Sequence, residues 1–371
     1  MLKVMTVFGT RPEAIKMCPL VKALEQDPDI QSVVCVTAQH RQMLDQVLDL
    51  FGVVPDYDLN VMKPNQTISM ITCSVLQGLE PVLQKERPDI VLVHGDTSTT
   101  FVTALACFYQ QIPVGHVEAG LRTYDKYSPF PEEMNRVLTG DLADIHFAPT
   151  QRNKDNLTRE GIDGAKVEIT GNTVIDALLT VAGKPYEFED ETLQKIDFAK
   201  KRVITVTCHR RENLGEYMAH IFSALADIAR EFDDVEIVYP VHLNPKVRDA
   251  ANTYLGGISN VHLIEPLTYQ PFVNLMAKSF FILTDSGGMQ EEAPALGKPV
   301  LVVRKETERP EAVEAGTAKL AGVERDTIYA MTKQLLTDPA EYEKMAHAIN
   351  PYGDGHACAS IVKALKERLI K

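Results

Sequence analysis

The stretch Phe281-Ile-Leu-Thr-Asp-Ser-Gly-Gly-Met-Gln-Glu-Glu292 decides the fold of this chain. A short apolar run fits a buried strand, Ser286-Gly287-Gly288 breaks it, and Glu291 and Glu292 fall in the first turn of a following helix. Glycines let a backbone approach a ligand closely, and the unpaired N–H groups of a helix start favour an anionic phosphate. A carboxylate one turn later can take the paired hydroxyls of a ribose. Strand, break, helix and acid together suggest a nucleotide-diphosphate pocket, although a tight turn with a charged first turn explains the same residues.

Around this unit, apolar runs alternate with amphipathic stretches, the pattern of helices packed on a parallel sheet. Strands are expected at Lys3–Phe8, Val33–Thr37, Ile90–His94, Pro113–Val117, Ile145–Ala148 and Val167–Thr170. A second set is expected at Val203–Thr207, Val235–Pro240, Val261–Ile264, Phe280–Thr284 and Pro299–Val303, after a polar stretch, Gly183–Lys201, that reads as the junction. Helices in the first half should begin near Pro12, Gln42, Ser69, Thr99 and Met134. At 371 residues the chain is long enough for two cores. The expected fold class is therefore α/β: two Rossmann-like, doubly wound domains with a central cleft. In such sheets ligands lie beyond the carboxyl ends of the strands.

A net charge of −13 opposes nucleic acid and anionic membrane as partners, so an anionic ligand must be caught by local cations. Arg11, Lys16, Arg122, Arg136, Arg210 and Arg309 are candidates. No apolar run reaches membrane-spanning length, and the N-terminal segment lacks a signal-peptide layout. The six cysteines form no C-x-x-C pair and read as reduced, buried thiols of a cytoplasmic protein. Cys208, beside His209, is the one that invites a nucleophile reading.

The strand ends carry the chemistry. In Gly9-Thr-Arg-Pro-Glu13, Thr10 and Glu13 have capping-box spacing and Pro12 suits a first helical turn. Arg11 is left over, a cation at a helix N-terminus, which is explained if an anion shares the place. Asp96, in His94-Gly-Asp-Thr97, can be a helix cap or an acid. Glu118 precedes Ala-Gly-Leu, which is no helix opening, and Glu132 and Glu133 start a helix. Asp96, Glu118 and Glu132 would face one cleft, and clustered acids are expected to raise one another's pKa. In the second half, His209-Arg-Arg211 forms an anion hook in which the imidazole can carry a proton, and His242 lies in a later strand-end loop. The sequence offers no metal-ligand spacing and no G-x-G-x-x-G fingerprint, so neither metal nor other cofactor is expected.

Gly9–Glu13, His94–Thr97, His116–Arg122, Pro131–Arg136, His209–Asn213, Asp285–Glu292 and Thr307–Glu311 occur in this order and together closely resemble the motifs of bacterial non-hydrolysing UDP-N-acetylglucosamine 2-epimerases. The resemblance implies a fold like the B-type glycosyltransferases. It divides the chain into residues 1–175, onto which the helix of residues 352–371 packs back, and a UDP-binding domain of residues 176–351. It implies interconversion of UDP-N-acetylglucosamine and UDP-N-acetylmannosamine for cell-surface polysaccharides, by expulsion of UDP to 2-acetamidoglucal and re-addition, with the domains closing over bound UDP. By motif match Asp96, Glu118 and Glu132 are the acid–base candidates, with the C2 base unassigned among them, and His209 attends the leaving phosphate. Arg11, Lys16, Arg136, Ser286, Gly287, Gly288 and Arg309 would bind substrate and Glu292 the ribose. Relatives suggest a homodimer and an activating second substrate molecule, for which Gln42, Gln46, Arg210 and His242 are candidates. A hydrolysing epimerase, a glycosyltransferase of the same fold and a catalytically silent nucleotide-sugar sensor are the alternatives; the carboxylate trio argues for proton chemistry.

Overall fold

A computed structural model of the chain describes residues 1–38, 41–63 and 65–370, except the side chains of Arg41 and Gln42. The chain forms two compact units, Met1–Ala177 with the segment from Tyr352 onward, and Leu178–Pro351. The sheet of the first unit has strands β1 (Leu2–Phe8), β2 (Ile30–Val36), β3 (Tyr57–Asp58), β4 (Ile90–His94), β5 (Val114–Val117), β6 (Ile145–Ala148) and β7 (Val167–Ile169), in the order β3-β2-β1-β4-β5-β6-β7. The second sheet has β8 (Arg202–Thr207), β9 (Val235–Pro240), β10 (Val261–Ile264), β11 (Phe281–Thr284), β12 (Val300–Val302) and β13 (Ala318–Leu320), in the order β10-β9-β8-β11-β12-β13. All the pairings are parallel, and helices connect the strands, so each unit is Rossmann-like.

Burial on both faces explains the continuous apolar runs of the central strands. In the first unit Met5, Val7, Val91 and Val93 pack with Leu79, Leu83 and Val102 from two helices. In the second, Ile204, Val206, Ile237 and Leu283 pack with Ile221, Leu225 and Ile228 of the helix Glu216–Glu231.

Two strands and one segment depart from the sequence expectation. Edge strands β3 and β13, two and three residues long, are too short to leave a periodic signal. The stretch Gly183–Lys201 is no plain linker. It contains the helix Glu191–Lys195, and Phe188 and Leu193 are buried with Val203, Val238 and Leu275. Its apolar residues are spaced among charges, so composition alone hides their burial.

The helix Ala357–Leu369 belongs to the first unit. Its opening N–H groups are capped from a distance, Cys358 and Ala357 donating to the Asp176 carboxylate at 2.9 and 3.2 Å. Lys366 near its other end pairs with Asp27 and Asp29. Among the described residues no helix is long and apolar enough to cross a membrane.

Each sheet has one place where strand order reverses, between β1 and β4 and between β8 and β11. The loops leaving these strands diverge there and open a crevice at the carboxyl ends.

Candidate active site

In the first unit β1 leads into the helix Arg11–Gln26 through the expected capping box: Glu13 N–H donates to Thr10 Oγ1 and Thr10 N–H to Glu13 Oε2. The buried Glu13 does more than cap. Its Oε2 also accepts from Gly9 N–H at 3.1 Å and its Oε1 from the Thr97 hydroxyl at 2.7 Å, tying the β1 loop to the β4 loop. Arg11 stands half-buried at the first position of this helix and bonds to no other described residue.

Glu118 follows β5 with φ +61°, a left-handed backbone that a side-chain-bearing residue adopts at a cost and that clusters at functional sites. Its carboxylate is 8% exposed. Lys16 Nζ lies 2.7 Å from both oxygens, His94 Nε2 lies 2.9 Å from Oε2, and Asn172 Nδ2 donates to Oε1 at 3.2 Å. Burial pushes the Glu118 pKa up, but Lys16 and His94 outweigh it and hold the carboxyl well below its ordinary range. This corrects the expectation that neighbouring acids raise it, since its bonded neighbours are donors.

Asp96 accepts from Arg136 Nη2 at 2.7 Å and Nε at 3.0 Å. It is not the helix cap: Thr97 caps the helix Ser98–Tyr109, accepting from Thr100 N–H at 3.1 Å. Gly95 sets the Asp96 loop against Glu118, a Cβ there falling 3.5 Å from Glu118 Oε2. Glu132 opens the helix Glu132–Leu142, half-buried, whereas Glu133 is buried. Glu133 takes Thr123 N–H, Tyr124 N–H and Arg136 Nη1 at 2.9–3.0 Å, which makes it the brace of the loop.

The second unit builds its site on β8 and β11. Asp285, fully buried at the end of β11, accepts on Oδ2 from His209 N–H (2.8 Å), Arg210 N–H (2.7 Å) and Asn213 Nδ2 (3.2 Å). His209 is stacked on His242, ring centroids 5.2 Å apart and planes 13° off parallel. Its pKa is lowered: burial acts most, His242 and Arg210 add to it, and Asp285 opposes. The Cys208 thiol is buried and its pKa is pushed well up, first by desolvation and then by Asp285, so it stays a thiol.

Behind the Ser-Gly-Gly turn stands Glu308. It accepts from Arg210 Nη2 at 2.9 Å, pairs with Arg304, and lies where a Cβ on Gly287 would meet its Oε1 at 2.7 Å. Gly288 similarly admits Glu292, whose Oε1 would be 3.2 Å from a Cβ. Ser286 N–H donates to Thr284 Oγ1 at 2.9 Å, and Arg309 pairs with Glu291.

Lys16, Asp96, Glu118 and Arg136 are thus brought together in the first unit, and His209, Arg210, Ser286–Gly288, Glu292 and Arg309 cluster in the second. Of the four candidates for a regulatory site, Gln46 is exposed on the helix Arg41–Phe51, the Gln42 side chain lies outside the described residues, and Arg210 and His242 adjoin His209. Sequence reasoning gave no role to His94, Glu133, Asn172, Asp285 and Glu308. All but Asn172 stand inside the quoted motifs, but partners of His94, Asp285 and Glu308 come from distant parts of the chain, as does that of Asn172, which reaches Glu118 across 54 positions. Among the described residues, no group of three or more His, Cys, Asp or Glu could hold a metal ion.

A family model described as UDP-N-acetylglucosamine 2-epimerase matches residues 22–366. The chain is 60% identical over 364 residues to the UDP-N-acetylglucosamine 2-epimerase of Bacillus subtilis, covering 98% of this chain and 95% of that one. It is similar to the crystal structure of the Neisseria meningitidis UDP-GlcNAc 2-epimerase bound to UDP-GlcNAc (53% identity, TM-score 0.86, 99% of this chain and 100% of that one). The Methanocaldococcus jannaschii UDP-GlcNAc 2-epimerase in complex with UDP-GlcNAc and UDP is also similar, at 33% identity, TM-score 0.75 and coverage of 99% and 100%.

Proposed function

The chain belongs to the UDP-N-acetylglucosamine 2-epimerase family, and from that premise we propose that it interconverts UDP-N-acetylglucosamine and UDP-N-acetylmannosamine without releasing the sugar. The C2 hydrogen of this sugar adjoins no carbonyl, so its direct removal would leave an unstabilised carbanion. Expulsion of UDP avoids this. The C1–O bond breaks with its electron pair going to the β-phosphate oxygen, the C2 proton passes to a carboxylate, and a C1–C2 double bond forms. UDP then returns to C1 as a proton is delivered to the opposite face of C2.

This route needs acid–base groups at C2 and positive charge at the diphosphate. The observation that carries the reading is the Lys16–Glu118–His94 cluster beside the Asp96–Arg136 pair: two ion-paired carboxylates at the ends of adjacent strands β4 and β5. We assign Asp96, Glu118 and Glu132 to the acid–base set, Glu118 being the member that Lys16 keeps charged. The second unit is assigned the UDP moiety, with Ser286–Gly288 and Arg309 toward the diphosphate, Glu292 toward the ribose and His209 at the leaving oxygen; Arg11 of the first unit keeps its role as an anion-binding candidate. Arg309 and Arg210 are paired with Glu291 and Glu308, so UDP must exchange with these carboxylates as it binds.

Cytoplasmic residence is supported by six free cysteines, and a homodimer is proposed by analogy with the family, to be checked by sedimentation. The direct test of the site is Asp96→Asn. Turnover should fall by at least about 100-fold, the scale of a lost acid–base group, while calorimetry still records UDP binding. Unchanged turnover removes Asp96 from the set.

A further inference from the structure

Asp285 has one oxygen fully used and one that is not. Oδ2 carries three donors, and Oδ1, equally buried, has no hydrogen-bond partner among the described residues. The nearest ionisable nitrogen to Oδ1 is His209 Nδ1, at 3.7 Å. An unpaired buried carboxylate oxygen is costly, and the 41%-exposed imidazole is the neighbouring group with freedom to approach it. His242 is stacked on the same ring.

We propose that Asp285 is the positioning residue for His209: it clamps the His209–Arg210 backbone through Oδ2 and takes the Nδ1–H of the imidazole on Oδ1, turning Nε2 outward to the ligand. The inference deepens the proposed role of His209 and rests on it. Its chemistry is that of a carboxylate orienting a histidine, which fixes the tautomer and stabilises the charged ring. The ring gives up no proton to Asp285; the pair holds Nδ1–H in place, and as an imidazolium the ring offers its Nε2–H to the departing β-phosphate oxygen.

The groups around the pair set the sign of its pH dependence. His209 faces Asp285, His242 and Arg210, and Asp285 also faces the un-ionised Cys208 and Tyr239. Asp285 is the one of these that favours imidazolium. Removing its charge therefore lowers the midpoint of His209 and moves the alkaline limb of kcat/KM to lower pH.

The test is nitrogen-15 NMR of histidine-labelled full-length protein, with His209→Gln used to assign the signal. Above its titration, His209 in the wild-type protein should be the Nδ1–H tautomer; an Nε2–H tautomer overturns the proposal, and this result needs no folded Asp285 variant. In Asp285→Asn the His209 midpoint and the alkaline limb should both move down, with kcat falling about tenfold or more at neutral pH while KM changes little. An unmoved midpoint in a folded variant that still binds UDP also overturns it. Failure of the wild-type protein to epimerise UDP-N-acetylglucosamine would instead remove the functional reading, leaving the tautomer result to judge the Asp285–His209 pair.

Discussion

Lys16 and Glu118 form a largely buried ion pair in the first unit's site, so they are where charge and stability meet. Removing one partner of such a pair leaves an uncompensated charge and costs roughly 3–5 kcal/mol, whereas removing both costs much less. Lys16→Met should therefore lower the melting temperature strongly, and adding Glu118→Gln should recover much of the loss. Equal melting of the single and double variants contradicts this. The pH sign follows from the depressed Glu118 pKa in the folded chain. Its stabilisation is present above the ordinary glutamate pKa of about 4.3 and is lost as pH falls through the folded value. In Lys16→Met the folded pKa rises toward the ordinary value, so this loss shrinks, which thermal melts across pH 3–6 would record as a flatter acid limb on a lower baseline. At this scale the sequence drew attention to Asp96, Glu118 and His209 because each stands just after an apolar run, although a helix cap was an equal reading for Asp96. It did not make legible that Lys16 pairs with Glu118 across 102 positions, or that Asn172 reaches the same carboxylate across 54. Such pairings are made by topology, and no spacing rule reaches them.

Elements carry their own polar liabilities. His116 on β5 is paired in register with His146 on β6, and both are buried. Burial lowers His116 to about 3 and His146 to about 4. Between these values and the ordinary histidine pKa near 6.5 the unfolded chain binds the protons and the folded one does not. Stability is thus full above about pH 6.5 and falls below it, by on the order of 2 kcal/mol per histidine at pH 5. Denaturation monitored on the first unit should show this slope, and His116→Gln should flatten it; an unchanged slope would mean that His116 is not its source. A second element-scale device is Asp176, which caps the helix Ala357–Leu369 from the helix Thr173–Ala182. Asp176→Ala should cost about 1–2 kcal/mol, and Asp176→Asn, still a cap former, clearly less. Amide hydrogen exchange along residues 357–369 measures both, and equal exchange in the two variants would remove the cap. Strand positions were readable to within a few residues wherever burial on both faces enforced an apolar run. They were unreadable at β3 and β13, two and three residues long, and so was the burial of Phe188 and Leu193 in Gly183–Lys201, where apolar residues stand among charges.

For the molecule as a whole, two parallel sheets each reverse their strand order once, and the candidate residues stand at carboxyl strand ends at or next to those reversals. The alternation of apolar and amphipathic segments made this architecture legible before any coordinate was known. With a net charge of −13, the chain confines its anion-binding capacity to a few cations, several of them already paired with carboxylates. In the proposed site arginines and backbone N–H groups would do what a divalent ion does in many diphosphate sites, and on that reading chelator should leave turnover unchanged. Loss of activity with chelator, restored by a divalent cation, would contradict that assignment. The central claim is that C2 is inverted through proton loss while UDP is retained, and proton NMR of the purified protein with UDP-N-acetylglucosamine in deuterated water tests it most directly. The account predicts UDP-N-acetylmannosamine bearing deuterium at C2, with UDP still attached; free N-acetylmannosamine and UDP, or epimer that keeps its original C2 proton, would contradict it.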